Sequence, residues 1–342
     1  MNLISQLFWS SDDRRPRTLW RLVLFALLLA ATLLAMDSLL AGAFGAGLDS
    51  AMGELGLFTE WRLARYLLQM LLGLLAVVLP TLFAARFFDR RPVSDLGLQL
   101  TGAWWRDLCF GLLLGAGLMF LVFVVELALG WITIANTFAT PASLPFWVAL
   151  VSPIALFLAV GIYEELLFRG YLLKNLAEGL SFGPLGGKIG MLLALLISSL
   201  TFSLAHAANP NASAFSNIYL FLAGLLLGLP FVLTDELAIP IGLHITWNFF
   251  QGNVFGFPVS GTTANQTTFI AVEQGGPELW TGGAFGPEAG LVGVAAMIVG
   301  LLLVIWWVKR MHGTVVLRTS VADYRPRTSK PRISVPAGSS EH

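Results

Sequence analysis

The chain contains eight apolar runs, and a run of about 20 mostly apolar residues is what an α-helix needs to cross a bilayer. They cover Leu19 to Phe44, Leu63 to Ala85, Leu108 to Ile132, Pro145 through Tyr163, Ile189 to about Ala207, Ile218 to Leu233, Leu237 to Phe250 and Ala289 to Val308. The seventh is short and polar for a span. A soluble fold needs a charged exterior, yet 56% of the residues are apolar and only 12% are charged. That is too few to clothe a chain of this length in water. The expectation is an all-α fold, a polytopic transmembrane helical bundle of about eight spans, with the lipid bilayer as its surroundings.

Arginine and lysine indicate which way such a bundle sits, because short cytoplasmic loops hold an excess of them. Arg14, Arg15, Arg17 and Arg21 precede the first run. Arg86, Arg90, Arg91 and Arg106 separate the second from the third, and Lys174 and Lys188 separate the fourth from the fifth. Lys309, Arg310, Arg318, Arg325, Arg327, Lys330 and Arg332 follow the last. Only Arg62 and Arg65 fall on the other side. An even number of spans with both termini cytoplasmic accounts for this pattern, and the plasma membrane of a prokaryote is the expected location.

The layout that follows is a cytoplasmic segment over 1–18, accessory transmembrane helices over 19–144 and a core over 145–253 that holds the polar motifs. An extramembrane loop over 254–288, a last helix over 289–309 and a basic, mobile tail over 310–342 complete it. The 254–288 segment has no Lys or Arg and is rich in Gly and Thr; long ordered loops are often functional. Formal net charge is zero, so no global basic field argues for nucleic acid as a partner. The single cysteine, Cys109, lies in an apolar run and can form no intramolecular disulfide.

Ionisable side chains inside spans are expensive, so each is a functional candidate. Glu164-Glu165-Leu166-Leu167-Phe168-Arg169 ends the fourth run. Glu165 and Arg169 are four apart, share a helix face and can pair. Glu164 points about 100° away from Glu165 and is free for another task. Phe202-Ser203-Leu204-Ala205-His206 lies in the fifth run. His244-Ile245-Thr246-Trp247-Asn248 lies in the seventh, with imidazole and amide on one face. Each cluster alone has a plain structural reading: carboxylates reaching headgroups, an interfacial histidine, a hydrogen bond between spans. Of the four histidines, His312 and His342 fall in the polar tail, where solvated surface is the expected role. The other two sit in spans beside polar residues, and the coincidence of three clusters argues for one shared site.

Glu-Glu-x-x-x-Arg, then Phe-x-x-x-His, then His-x-x-x-Asn, in successive apolar segments, resembles the motif set of the CAAX-protease and bacteriocin-processing family of intramembrane proteases. That family is related to the Ras-converting CAAX endopeptidase. The resemblance covers roughly Phe146 to Gly252. It implies a helical membrane protease whose reaction centre is Glu164, His206, His244 and Asn248, with Glu165, Arg169 and Phe202 in support. The implied partner is a membrane protein or a lipidated peptide as substrate.

On that reading Glu164 activates a water that His206 also orients, while His244 and Asn248 aim donors at the oxyanion. A competing version places a divalent metal such as zinc on Glu164, His206 and His244, since catalytic zinc takes three protein ligands and one water. The sequence has no H-E-x-x-H element to fix two histidines on one helix. The balance leans toward a glutamate-activated water with no required cofactor. Two other classes stay open here. Buried carboxylates and histidines suit a proton-coupled transporter, although no repeat halves are found, and a regulatory scaffold could keep the same helices without chemistry. Depth is a difficulty for all site readings. The span limits put Glu164 in the inner half and His206 near the outer end, unless the fourth span is longer and tilted, the fifth starts deeper, or the orientation is reversed.

Overall fold

The computed structural model describes residues 8–10, 13–43, 52, 58–140, 144–181, 186–263 and 267–324. The expectation of a mobile basic tail beyond residue 324, and His342 with it, lies outside the described residues. Among these residues seven helices are long and apolar enough to cross a bilayer. They are α1 (Thr18–Ala43), α2 (Phe58–Phe83), α3 (Gly102–Ala128), α4 (Phe146–Leu180), α5 (Gly186–Ala205), α6 (Ala214–Thr234) and α8 (Leu291–His312). Between α6 and α8 lies α7 (Ala238–Phe249), of 12 residues. At about 1.5 Å per residue it is too short to cross alone. The chain is an integral membrane protein, a polytopic all-α bundle in which the seventh apolar run forms only this partial span.

Strands are minor. β1 (Trp9–Ser10) pairs with β2 (Arg15–Pro16), and β3 (Ile132–Ala139) pairs antiparallel with β4 (Thr268–Gln274), with a register irregularity between Ile134 and Asn136. The β3–β4 ribbon joins the loop after α3 to the loop after α7. Phe138, Phe146, Trp147 and Phe269 meet beside it, with 5.1 Å between the ring centroids of Phe146 and Phe269. Trp collects where hydrocarbon gives way to headgroups, and Trp147 stands in this cluster at the start of α4.

The short α7 is held by a glycine surface on α3. Gly111 and Gly115, four apart, face Ile239, Leu243 and Trp247, and Gly242 faces back onto Leu108 and Leu112. A β-carbon at Gly115 would overlap the Leu243 carbonyl and the Thr246 hydroxyl. Small residues let membrane helices approach backbone to backbone. Thr246 Oγ1 donates to the Leu112 carbonyl at 2.7 Å and completes the contact. Gly115→Ala is expected to cost about 1–3 kcal/mol through overpacking and to displace α7. A thermal midpoint in detergent unchanged from wild type would contradict this.

The end of the bundle that carries both termini is tied by buried ions. Glu178, at the end of α4, accepts from Arg15 and Arg21, each at 2.7 Å, and pairs with Arg91. Arg91 also meets Asp95 at 2.5 Å, Arg21 meets Asp89 at 3.6 Å, and Lys174 meets Asp235 at 2.8 Å. The cations Arg15, Arg21, Arg91 and Lys174 thus face the anions Asp89, Asp95, Glu178 and Asp235. The basic residues that marked topology in the sequence are therefore also structural ions. Tyr324 lies 3.4 Å under the Arg15 guanidinium, and Val321 is fully buried. Residues 313–316 are exposed, as expected of a solvated tail, whereas around Arg318 to Ala322 the chain packs back onto the bundle, with the Arg318 amide donating to the Val232 carbonyl of α6. His312 is likewise not a solvated surface residue. Its Nε2 lies 2.7 Å from Asp107 Oδ2 on α3.

Candidate functional site

The depth difficulty is resolved by the length of α4. It runs 35 residues, through Arg169, Lys174 and Glu178, before it ends. The apolar run stops before these polar residues, yet all three are helical, Arg169 and Lys174 are buried and Glu178 is half-buried. Counted from the turn that joins α4 to α5, Glu164 is 16 residues before Leu180 and His206 is 20 residues beyond Gly186. At about 1.5 Å per residue the two levels differ by roughly 6 Å.

Directly after the two glutamates α4 widens into a π-helical stretch, Leu166–Leu173. Such segments free backbone groups and cluster at functional sites. Here the Phe168 carbonyl accepts from Ser198 Oγ at 2.8 Å. Arg169 Nη1 donates to Glu165 Oε1 at 2.8 Å, as the spacing of four predicts, and Nη2 donates to the Gly224 carbonyl on α6 at 3.1 Å. Both side chains are buried. Phe202 lies 4.6 Å from the Arg169 guanidinium and contacts the rings of Phe168, His206 and His244. It packs the ion pair against both imidazoles.

The hydrogen bonds assign a tautomer to each histidine. His244 Nδ1 is 2.7 Å from Glu165 Oε1 and donates to it, which leaves Nε2 as the acceptor, 3.9 Å from Glu164 Oε2. His206 Nδ1 is 2.8 Å from the Phe202 carbonyl, so its Nε2 is likewise an acceptor. Glu164 Oε2 is buried and has no hydrogen-bond partner among the described residues. A gap of 3.9 Å between an acid oxygen and an imidazole nitrogen suits one bridging water.

Glu164, His206, His244 and Asn248 all line one cavity of about 490 Å³, together with Phe202. The cavity is largely apolar elsewhere, walled by residues such as Leu220, Leu227, Trp247 and Met297. Glu165 and Arg169 stand behind the wall. Among the described residues no three of His, Cys, Asp and Glu gather closely enough to hold a metal ion. Glu164, His206 and His244 share the cavity but do not form such a group.

The sequence reading missed Glu288. It lies in the connector before α8 yet lines the same cavity. Its Oε1 accepts from the Ser260 amide at 2.5 Å, and its Oε2 pairs with Gln251. Asn209, three residues past His206, donates to the Ser260 carbonyl at 2.9 Å. Residues 258–262 therefore bridge the turn after His206 to the π-helical end of α7. Glu288 fastens that bridge. The only signal in the sequence was an acidic residue beside Gly and Pro in a loop, which points nowhere.

Burial pushes the Glu288 carboxyl up to about 7, against the lowering effect of the Ser260 amide. A carboxyl raised on folding binds a proton that the unfolded chain has released. Stability is therefore expected to fall as pH rises from about 4.5 towards about 7. Glu236, in the α6–α7 connector and raised to about 7 chiefly by burial, adds to the same slope. Thermal midpoints across that range should flatten in part in Glu288→Gln. An unchanged slope would remove Glu288 from the account.

Residues 145–250 match the family model described as Rce1-like, type II CAAX prenyl endopeptidase Rce1-like. The match spans α4 to α7 and contains all three motifs. No curated protein and no solved structure matches the chain.

Proposed function

We propose that the chain is an intramembrane endopeptidase of the CAAX-protease and bacteriocin-processing type that cleaves membrane-associated or lipidated substrates with a glutamate-activated water, a reading supported by the match of residues 145–250 to the Rce1-like family model. One observation carries the reading. The Glu164 carboxylate faces His244 Nε2 across 3.9 Å, inside a cavity that also holds His206 and Asn248.

In this mechanism the water sits between Glu164, His244 and His206. Glu164 takes one proton as the oxygen attacks the scissile carbonyl, and a tetrahedral oxyanion forms. The Asn248 amide, four residues from His244, is the donor that stabilises that charge. Glu165 and Arg169 keep His244 in the tautomer that presents Nε2 to the water. This moves His244 from the oxyanion to the water side, because Nδ1 is committed to Glu165. Glu164 then returns its proton to the leaving nitrogen as the C–N bond breaks, giving a carboxylic acid and an amine. Low polarity around the cavity strengthens each of these interactions.

The charge rule favours a cytoplasmic position for the Lys/Arg-rich end, where the described chain starts and finishes, and the membrane is proposed to be the plasma membrane of a prokaryote. Cleavage is tested by comparing membrane-protein fragments in cells carrying wild type or Glu164→Gln. Identical fragment sets, with proton conduction by the wild type in liposomes, would replace the protease by a transporter. Activity is expected to survive exhaustive chelation. Loss on chelation with recovery on added zinc would transfer the activation of water to a metal.

A further inference from the structure

The cavity lies towards one end of the bundle and reaches its middle. α2, α4, α6 and α8 all begin at the end away from the Glu178 ion network; the lining includes Tyr66, Leu156, Leu220 and Met297 from their early turns and extends to Phe168 and Leu227 near the middle of α4 and α6. Its remaining wall is Val259, Ser260 and Thr262, from the loop at that same end. On the other side the protein is solid. Leu96, Tyr171, Phe231 and Leu237 are fully or almost fully buried there, above the ion network around Glu178. The charges are as one-sided as the cavity. Among the described residues only Arg62 and Arg65, of the Lys and Arg outside the buried core, lie at the cavity end. The loops there carry Glu273, Glu278 and Glu288 instead. A bias this strong over short loops places the cavity end outside the cytoplasm.

From these two asymmetries we infer that the site receives its substrate from the non-cytoplasmic face. The substrate class is then a peptide segment exposed on, or anchored in, the outer leaflet, and not a lipidated tail held in the inner leaflet. The choice of substrate rests on the protease reading; the direction of access does not.

Two measurements separate these. Single-cysteine variants of the full chain, made in a Cys109→Ser background, are treated in intact cells with a sulfonated, membrane-impermeant maleimide. Leu279 is exposed at the cavity end and Val316 at the other. Leu279→Cys and the cavity-lining Ala205→Cys are expected to be labelled in intact cells, and Val316→Cys only after permeabilisation. The reverse pattern overturns the inference. The second measurement maps the new chain ends that wild type produces and Glu164→Gln does not. They are expected in segments outside the cytoplasm, and cuts confined to cytoplasmic tails overturn the substrate class. If no ends differ, the protease reading and the substrate class fall together, while the labelling still decides access.

Discussion

Glu164→Gln removes peptide cleavage and leaves the bundle folded. Glutamine keeps the size and shape of the side chain but cannot take a proton from water. A positioned general base is worth about a hundred- to ten-thousand-fold in rate, so turnover should fall by that factor with little change in KM. Oε2 makes no hydrogen bond among the described residues, and glutamine keeps an oxygen that can accept from Tyr163 as Glu164 does, so the thermal midpoint should hold. Purified wild type and variant, assayed on the same fluorogenic membrane peptide, check both halves. A variant that retains near-wild-type turnover would leave the water without its base. His206→Ala tests the same water from the α5 side and should fail with KM similarly preserved.

The neighbouring glutamate behaves in the opposite manner. Glu165→Ala is expected to destabilise the protein by about 3–5 kcal/mol, the usual cost of stripping one partner from a buried pair. Arg169 would keep its charge in a buried position, where among the described residues the Gly224 carbonyl is its remaining hydrogen-bond acceptor beside the Phe202 ring. The double replacement Glu165→Leu with Arg169→Met should recover most of that stability, since apolar side chains of similar volume replace buried pairs well. It should not recover cleavage, because His244 Nδ1 then has no acceptor to fix its tautomer. Stability and catalysis would thus part company. If the double variant were fully active, the Glu165–His244 bond would have no part in the reaction. Unfolding in detergent and turnover, measured on the same preparations, decide it.

The site was legible where it is written as helical spacing. Glu165 and Arg169 are four apart, as are Phe202 and His206 and then His244 and Asn248, and each spacing alone fixes a common face. That face then meets its partners because the spans are adjacent. The depth of Glu164 stays open in the sequence because a hydropathy limit ends a span at its first charged residues. Here Arg169, Lys174 and Glu178 continue the helix, since each finds a buried counter-charge. Those partners lie far away in the chain, and no local pattern announces them. The same holds for His312 with Asp107 and for Glu288 with Gln251 and Ser260. Long-range polar pairing is decided by the packed fold, and the residue types alone do not disclose it. The partial span α7 was visible as a weak apolar run, but the glycine surface on α3 that accepts it was not singled out, because glycine is common in any membrane helix.

The shortness of α7 has a consequence for what surrounds it. Twelve residues cover about 18 Å, against a hydrocarbon layer of about 30 Å. Ala238 to His244 and Trp247 are buried in the bundle, so protein and not lipid fills the depth that α7 leaves. Irregular backbone at membrane depth is tolerated where it is buried in protein or lines a wet cavity, and residues 250–262 supply it here. Water then reaches Asn248 and His244 along protein, so turnover at equal substrate density should depend little on acyl-chain length.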